Sequence, residues 1–199
     1  MLKLYYTPVS CSRTQHILLE LSGLDYEIVK VDLNTKLTED GNDFTKVNPR
    51  GQVPTLQLDD HVILTENVAI GQYIADKAPN ANLLAPIGDI TRYQTISWMS
   101  FVATELHKAF SPLFHPKSED DKLKAIETLI TKLNYVEKNL NGRDYIASNS
   151  FTIADAYLFV VLNWRKIVSN LPTYPNIDRY VNKINAMPAI QKVIAREEQ

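Results

Sequence analysis

The sequence predicts two domains of different class: an α/β half over residues 1–79 and an all-helical half over 91–199, joined by a linker at 80–90. Three observations carry this. Strand-like runs alternate with helical patterns only before Pro79, and apolar residues recur only at helical spacing after Ile90. Pro86 and Gly88 punctuate the stretch between. A chain of 199 residues accommodates two packed domains of ordinary size.

Leu2-Lys3-Leu4-Tyr5-Tyr6 reads as a first strand, stopped by Pro8. Ser10-Cys11-Ser12 leads into a helix with Ile17, Leu18 and Leu21 on one face, and Gly23 supplies the left-handed position that ends it. Residues 26–33 alternate as a second strand, and 36–47 read as a loop with a short irregular helix. Val53-Pro54 opens a third strand over 55–58, because a proline harms a sheet ladder least at a strand's first residue. Asp59-Asp60 turns the chain into a fourth strand over 61–64, and Thr65 is expected to cap a helix carrying Ile70 and Ile74. The βαβαββα order, with proline before the third strand, is that of a thioredoxin-like domain. Beyond the linker a long helix is expected over 90–114, then one around Leu123 to Val136. Thr152 to Asp155 has capping-box spacing before a third, and Pro175 and Pro188 open two more.

Composition narrows the function classes. The net charge of −2 offers no electrostatic footprint for nucleic acid or an anionic membrane. The longest apolar run is far below the ~18 residues a membrane helix needs, and nothing resembles a signal segment, so a cytoplasmic protein is expected. One cysteine excludes an internal disulfide and a cysteine-rich metal site, and His16, His61 and His115 show no metal-ligand spacing, so no metal is expected.

Cys11 lies near a helix N-terminus, a position that favours thiolate, although a lone cysteine is often simply buried. Cys11-Ser12-Arg13-Thr14 lacks a resolving cysteine, which leaves only monothiol chemistry. Val53-Pro54 is expected to be cis, turning the Val53 backbone groups toward an extended cysteinyl peptide that pairs as an added strand. Glu66 and Asn67 fall in a helix's first turn, where free N–H groups attract a carboxylate and Glu66 can take an ammonium. His107 and Lys108 sit beside the apolar stripe of the long helix, and Asp155 reads as a cap.

Five stretches occur in one register along the chain: Cys11 with Lys36, N-P-R-G-Q-V-P at 48–54, L-T-E-N-V-A-I at 64–70, A-T-E-L-H-K at 103–108 and F-T-I-A-D-A-Y-L-F at 151–159. Together they resemble the bacterial beta class of the cytosolic glutathione transferases. The resemblance implies that family's two-domain fold, a homodimer, and glutathione as co-substrate for conjugation to a small hydrophobic electrophile. It implies glutathione contacts by Gln52, Val53, Pro54, Glu66, Asn67, Thr104 and Lys108, with Lys36 on the glycine carboxylate. Cys11 and His107 are the implied catalytic residues, Cys11 lying by the glutathione sulfur. Other classes activate the thiol with a tyrosine or serine after the first strand, so Tyr6 and Ser12 stand beside Cys11 and His107 as candidates. Asn67 replaces the family's usual serine or glycine, and Ser100 an amide side chain of a related enterobacterial enzyme. Phe110, Phe114 and Trp164 are expected to line an electrophile pocket between the domains. A glutathione-dependent disulfide reductase or peroxidase, and a non-catalytic binding protein, are the alternatives.

Overall fold

The computed structural model describes residues 1–114 and 116–198; His115 lies outside them. The chain packs as two units, Met1–Leu84 with Pro188–Gln199, and Ala85–Met187.

The first unit holds a four-stranded sheet in the order β2-β1-β3-β4. Strand β1 (Leu2–Tyr6) runs parallel to β2 (Tyr26–Lys30) and antiparallel to β3 (Thr55–Gln57), which pairs antiparallel with β4 (Ile63–Thr65). Successive residues of a strand face opposite sides. Leu4 therefore joins Ile17, Leu18, Leu56, Ile70 and Ile74 in a fully buried helix-side core. Tyr5 faces the other way and packs on Phe44 (ring centroids 5.3 Å apart) with Val31. That second cluster is closed by a 3-10 turn, Phe44–Lys46, whose Thr45 N–H donates to the Asp43 carboxylate. Helix α1 (Arg13–Ser22) ends at Gly23 with φ +70°, as its sequence requires, and packs on α2 (Asn67–Lys77).

Two differences from the sequence reading lie in this unit. Thr65 does not cap α2, because it pairs with Thr55 in the ladder; Glu66 holds the N-cap position with φ +71°. The closing helix α8 (Pro188–Glu197), expected with the helical half, packs against α1. Arg13 Nε and His16 Nδ1 meet the two carboxylate oxygens of fully buried Glu197 at 2.7 and 3.0 Å. The boundary between the two units lies between Leu84 and Ala85.

Among the described residues the second unit has no strand. Helices α3 (Ile90–Phe101) and α4 (His107–Phe114) are joined without a break by a π-helical turn, Val102–Leu106. They pack with α5 (Glu119–Asn139), α6 (Ile153–Asn163) and α7 (Pro175–Asn185). Helix α6 is buried along its whole length save the last residue, which explains why its sequence is apolar on every side. Its Asp155 accepts from the Thr152 N–H (2.8 Å) and hydroxyl (2.7 Å), the Ile146 N–H (2.8 Å) and the Tyr180 hydroxyl (3.0 Å). Among the described residues no helix is long and apolar enough to cross a membrane.

Candidate functional site

In the first unit the loop after β1, the turn before β3 and the start of α2 converge. The Val53–Pro54 bond is cis, as the motif predicts. The Asn48 amide fixes the approach to it by donating to the Gln52 carbonyl and the Thr55 hydroxyl, both at 2.9 Å. Gly51, at φ +57°, lies under Lys36; a Cβ there would come within 3.1 Å of the Lys36 side chain, whose Nζ donates to the Gly51 carbonyl at 3.0 Å. A backbone of this hand suits glycine and few other residues.

Cys11 is half-buried, and its Sγ lies 3.6 Å from the Val53 carbonyl oxygen, to which the thiol donates. The Val53 N–H has no hydrogen-bond partner among the described residues. Burial pushes the Cys11 thiol up to about 11; the Asn67 side chain and a backbone N–H act against this, and the Glu66 charge adds to it. The field that a helix start offers a sulfur is thus outweighed by desolvation.

Ser12 is fully buried. Its hydroxyl accepts from the Thr7 N–H at 3.1 Å and is shared with Ser10 at 2.7 Å, so it ties the loop together. Tyr6 is 5% exposed, its ring set against His16, and burial raises its phenol above the usual value. Glu66 is exposed at the head of α2 and pairs with Arg50 at 2.6 Å. Its φ of +71° is one that side chains other than glycine rarely adopt, and such outliers cluster at functional sites. Asn67, the first residue of α2, is buried and receives two bonds from Gln15, at 3.0 Å on its backbone oxygen and 2.8 Å on its side-chain oxygen.

The remaining candidates belong to the second unit. The His107 Nδ1 is 2.8 Å from the Tyr157 hydroxyl, and its ring packs edge-on to Trp164 with centroids 4.8 Å apart. Burial, then the charge of Lys108, lowers its pKa to about 4, which leaves a neutral imidazole at neutral pH. Trp164 also meets Phe110 and Phe114, so the three expected aromatics form one cluster with His107. Thr104 lies in the π-helical turn and returns its hydroxyl to the Ser100 carbonyl at 2.9 Å, while Lys108 is exposed. π-helical turns are rare and frequent at functional sites.

Sequence reasoning passed over Gln15, Arg50 and Tyr157. Gln15 stands in the first turn of the helix that opens just after Cys11, where a buried amide between Thr14 and His16 left only a weak sequence signal. The contact from Tyr157 to His107, fifty residues apart, left no local signal.

The first unit is thioredoxin-like, with a half-buried cysteine beside its Val–Pro turn, and among the described residues the second unit is all-helical. Models of two domains match, "Glutathione S-transferase, N-terminal domain" over residues 10–77 and "Glutathione S-transferase, C-terminal domain" over 101–188. Glutathione S-transferase GstA of Escherichia coli O157:H7 is 45% identical over 98% of both chains. A sphingomonad glutathione S-transferase solved with glutathione is 43% identical, with a TM-score of 0.94 and 98% of each chain covered. The beta class enzyme of Sphingomonas chungbukensis is 41% identical, with a TM-score of 0.93 over 98% of each chain. The chain belongs to the glutathione S-transferase family, and a bacterial beta class member is among its structural neighbours.

Proposed function

We propose that this protein is a glutathione transferase that joins the glutathione thiolate to small hydrophobic electrophiles. The cysteinyl backbone of the tripeptide pairs with the open N–H and the carbonyl of Val53. Its γ-glutamyl carboxylate meets the free N–H groups at the start of α2, and its ammonium meets Glu66. Lys36 takes the glycine carboxylate, with Gln52 and Pro54 shaping the turn. Thr104, His107 and Lys108 enter from the family motif at 103–108. A homodimer and a cytoplasmic location are part of the same reading, on the strength of the family.

The Cys11 thiol, which donates to the Val53 carbonyl at 3.6 Å and is raised by burial, carries the choice of chemistry. At neutral pH the side chain is a protonated S–H, a donor for a neighbouring glutathione sulfur and a poor nucleophile of its own. Lowering the glutathione thiol by two units needs ~2.7 kcal/mol of preferential thiolate stabilisation. Bonds to a charged acceptor contribute ~1.5–3 kcal/mol each, so Cys11 and one further donor suffice. Neutral His107 is suited to donating a hydrogen bond or relaying a proton. Tyr6 and Ser12, buried and engaged, are weaker candidates for touching the sulfur. The thiolate then attacks the electrophilic carbon, the thioether bond forms, and the leaving group departs with its electron pair.

One observation favours a second reading. Cys11 retains partial exposure beside the Val53 carbonyl, a place where its sulfur can attack a glutathione-containing disulfide, expel the other thiol, and hold glutathione as a mixed disulfide that a second glutathione then reduces. Initial rates with glutathione and 1-chloro-2,4-dinitrobenzene varied together separate the two. Intersecting double-reciprocal lines are expected for direct conjugation. Parallel lines when a glutathione-containing disulfide replaces the chloroarene would indicate a mixed disulfide at Cys11, and no rate with any such electrophile would overturn the transferase reading.

A further inference from the structure

The ion pair of Arg50 with Glu66 stands at the edge of the Val53 turn. Thr55 pairs with Thr65 in the ladder; beyond them Pro54 and Glu66 leave the sheet at the same end, next to Val53. The backbone holds both partners in place. The Arg50 N–H donates to the Asn48 side-chain oxygen at 3.1 Å, and the amide of the same Asn48 fixes Gln52 and Thr55. Glu66 turns out of β4 at φ +71°, and its carbonyl accepts the Ile70 N–H at the start of α2. Arg50 Nη1 donates to Glu66 Oε1 at 2.6 Å. Among the described residues neither side chain makes a further hydrogen bond or ion pair, and both are mostly exposed. The remaining guanidinium N–H groups and Glu66 Oε2 are therefore open, a cation and an anion side by side with unused bonding capacity.

We propose that Arg50 is a further glutathione-binding residue, taking the γ-glutamyl carboxylate while its partner Glu66 takes the neighbouring ammonium. The role rests on the glutathione site proposed above and adds a residue to it. The γ-glutamyl end carries both of its charges on one carbon, so they lie side by side as those of the ion pair do. Docked antiparallel, each charge meets its opposite, and the Arg50–Glu66 bond is kept. A carboxylate has lone pairs for about four donors, so the N–H groups at the start of α2 and the guanidinium fork share it without conflict. Glu66 alone would attract the ammonium and repel the carboxylate beside it. With Arg50 the site selects thiol peptides whose γ-glutamyl end is an intact zwitterion.

The test is calorimetric binding to the full chain, in low-salt buffer, of two ligands. One is glutathione; the other is its analogue with a 4-aminobutanoyl group in place of γ-glutamyl, which keeps the ammonium and lacks the carboxylate. Arg50→Ala should bind glutathione roughly tenfold more weakly than wild type, the scale of one charge-assisted bond. The analogue should bind Arg50→Ala and wild type about equally. Arg50 is an exposed side chain, so its loss leaves the fold in place, which an unchanged melting temperature checks. Glutathione binding to Arg50→Ala that is equal to or tighter than wild type overturns the proposal; tighter binding would make Arg50 a competitor of the ammonium for Glu66. An equal loss for both ligands also overturns it, because the loss would not run through the carboxylate. A wild type that binds no glutathione is a different failure, since it removes the glutathione site itself and this role with it.

Discussion

His107 shows how burial decides protonation at the scale of one residue. Its ring lies between Tyr157 and Trp164, and its pKa falls from 6.5 to about 4. The unfolded chain then binds more protons than the folded one between those values. The stability His107 contributes is full above pH 6.5 and is lost as pH falls toward 4. Urea unfolding at pH 7 and pH 5 should show His107→Phe losing less stability on acidification than wild type; equal losses would contradict the lowered pKa. Glu66 is the opposite case, an exposed carboxylate whose ion pair with Arg50 is worth only ~0–1 kcal/mol. Glu66→Ala should leave the melting temperature nearly unchanged while weakening glutathione binding roughly tenfold by calorimetry, the scale of one charge-assisted bond. A large loss of stability with intact binding would remove Glu66 from the site. Neither His107's low pKa nor Glu66's positive φ was legible in the sequence, since each is set by surroundings rather than by neighbours in the chain.

The helix starts compare what local sequence encodes and what it leaves to context. Thr152 and Asp155 were readable as a capping box because both partners lie within one turn, and the structure forms it. Thr65 carried an equally good capping residue type, but ladder pairing with Thr55 claimed it first. The π-helical turn Val102–Leu106 has no sequence signature and was read as plain helix, though the continuous run from Ile90 to Phe114 was seen. Asp155 is also the hub for Ile146 and Tyr180, which lie outside its helix. Removing its carboxylate leaves buried donors unpaired at ~1–3 kcal/mol each. With four donors left unpaired, Asp155→Ala should lower unfolding stability by about 4 kcal/mol or more in urea. A change below 1 kcal/mol would show that the network is dispensable.

At the scale of the whole molecule, the βαβ–ββα order and the later all-helical pattern were visible because period-two and helical periodicities separate cleanly along this chain. The membership of α8 was not. Arg13 and Glu197 stand 184 positions apart, and their pairing follows from the fold instead of from any spacing. Losing one partner of a buried pair costs ~3–5 kcal/mol. In Glu197→Ala, hydrogen exchange should speed up along α1 while α5 keeps its protection; equal loss in both would mean that the units unfold together. Under the proposed function Cys11 is a protonated donor beside the glutathione sulfur and not the nucleophile. The most direct measurement is the rate of glutathione conjugation to 1-chloro-2,4-dinitrobenzene by wild type and Cys11→Ala. One lost bond to a thiolate should cost about tenfold and leave a clear enzymatic rate. A Cys11→Ala chain that binds glutathione but has no activity above background would make Cys11 indispensable to the reaction and rule out a donor role alone.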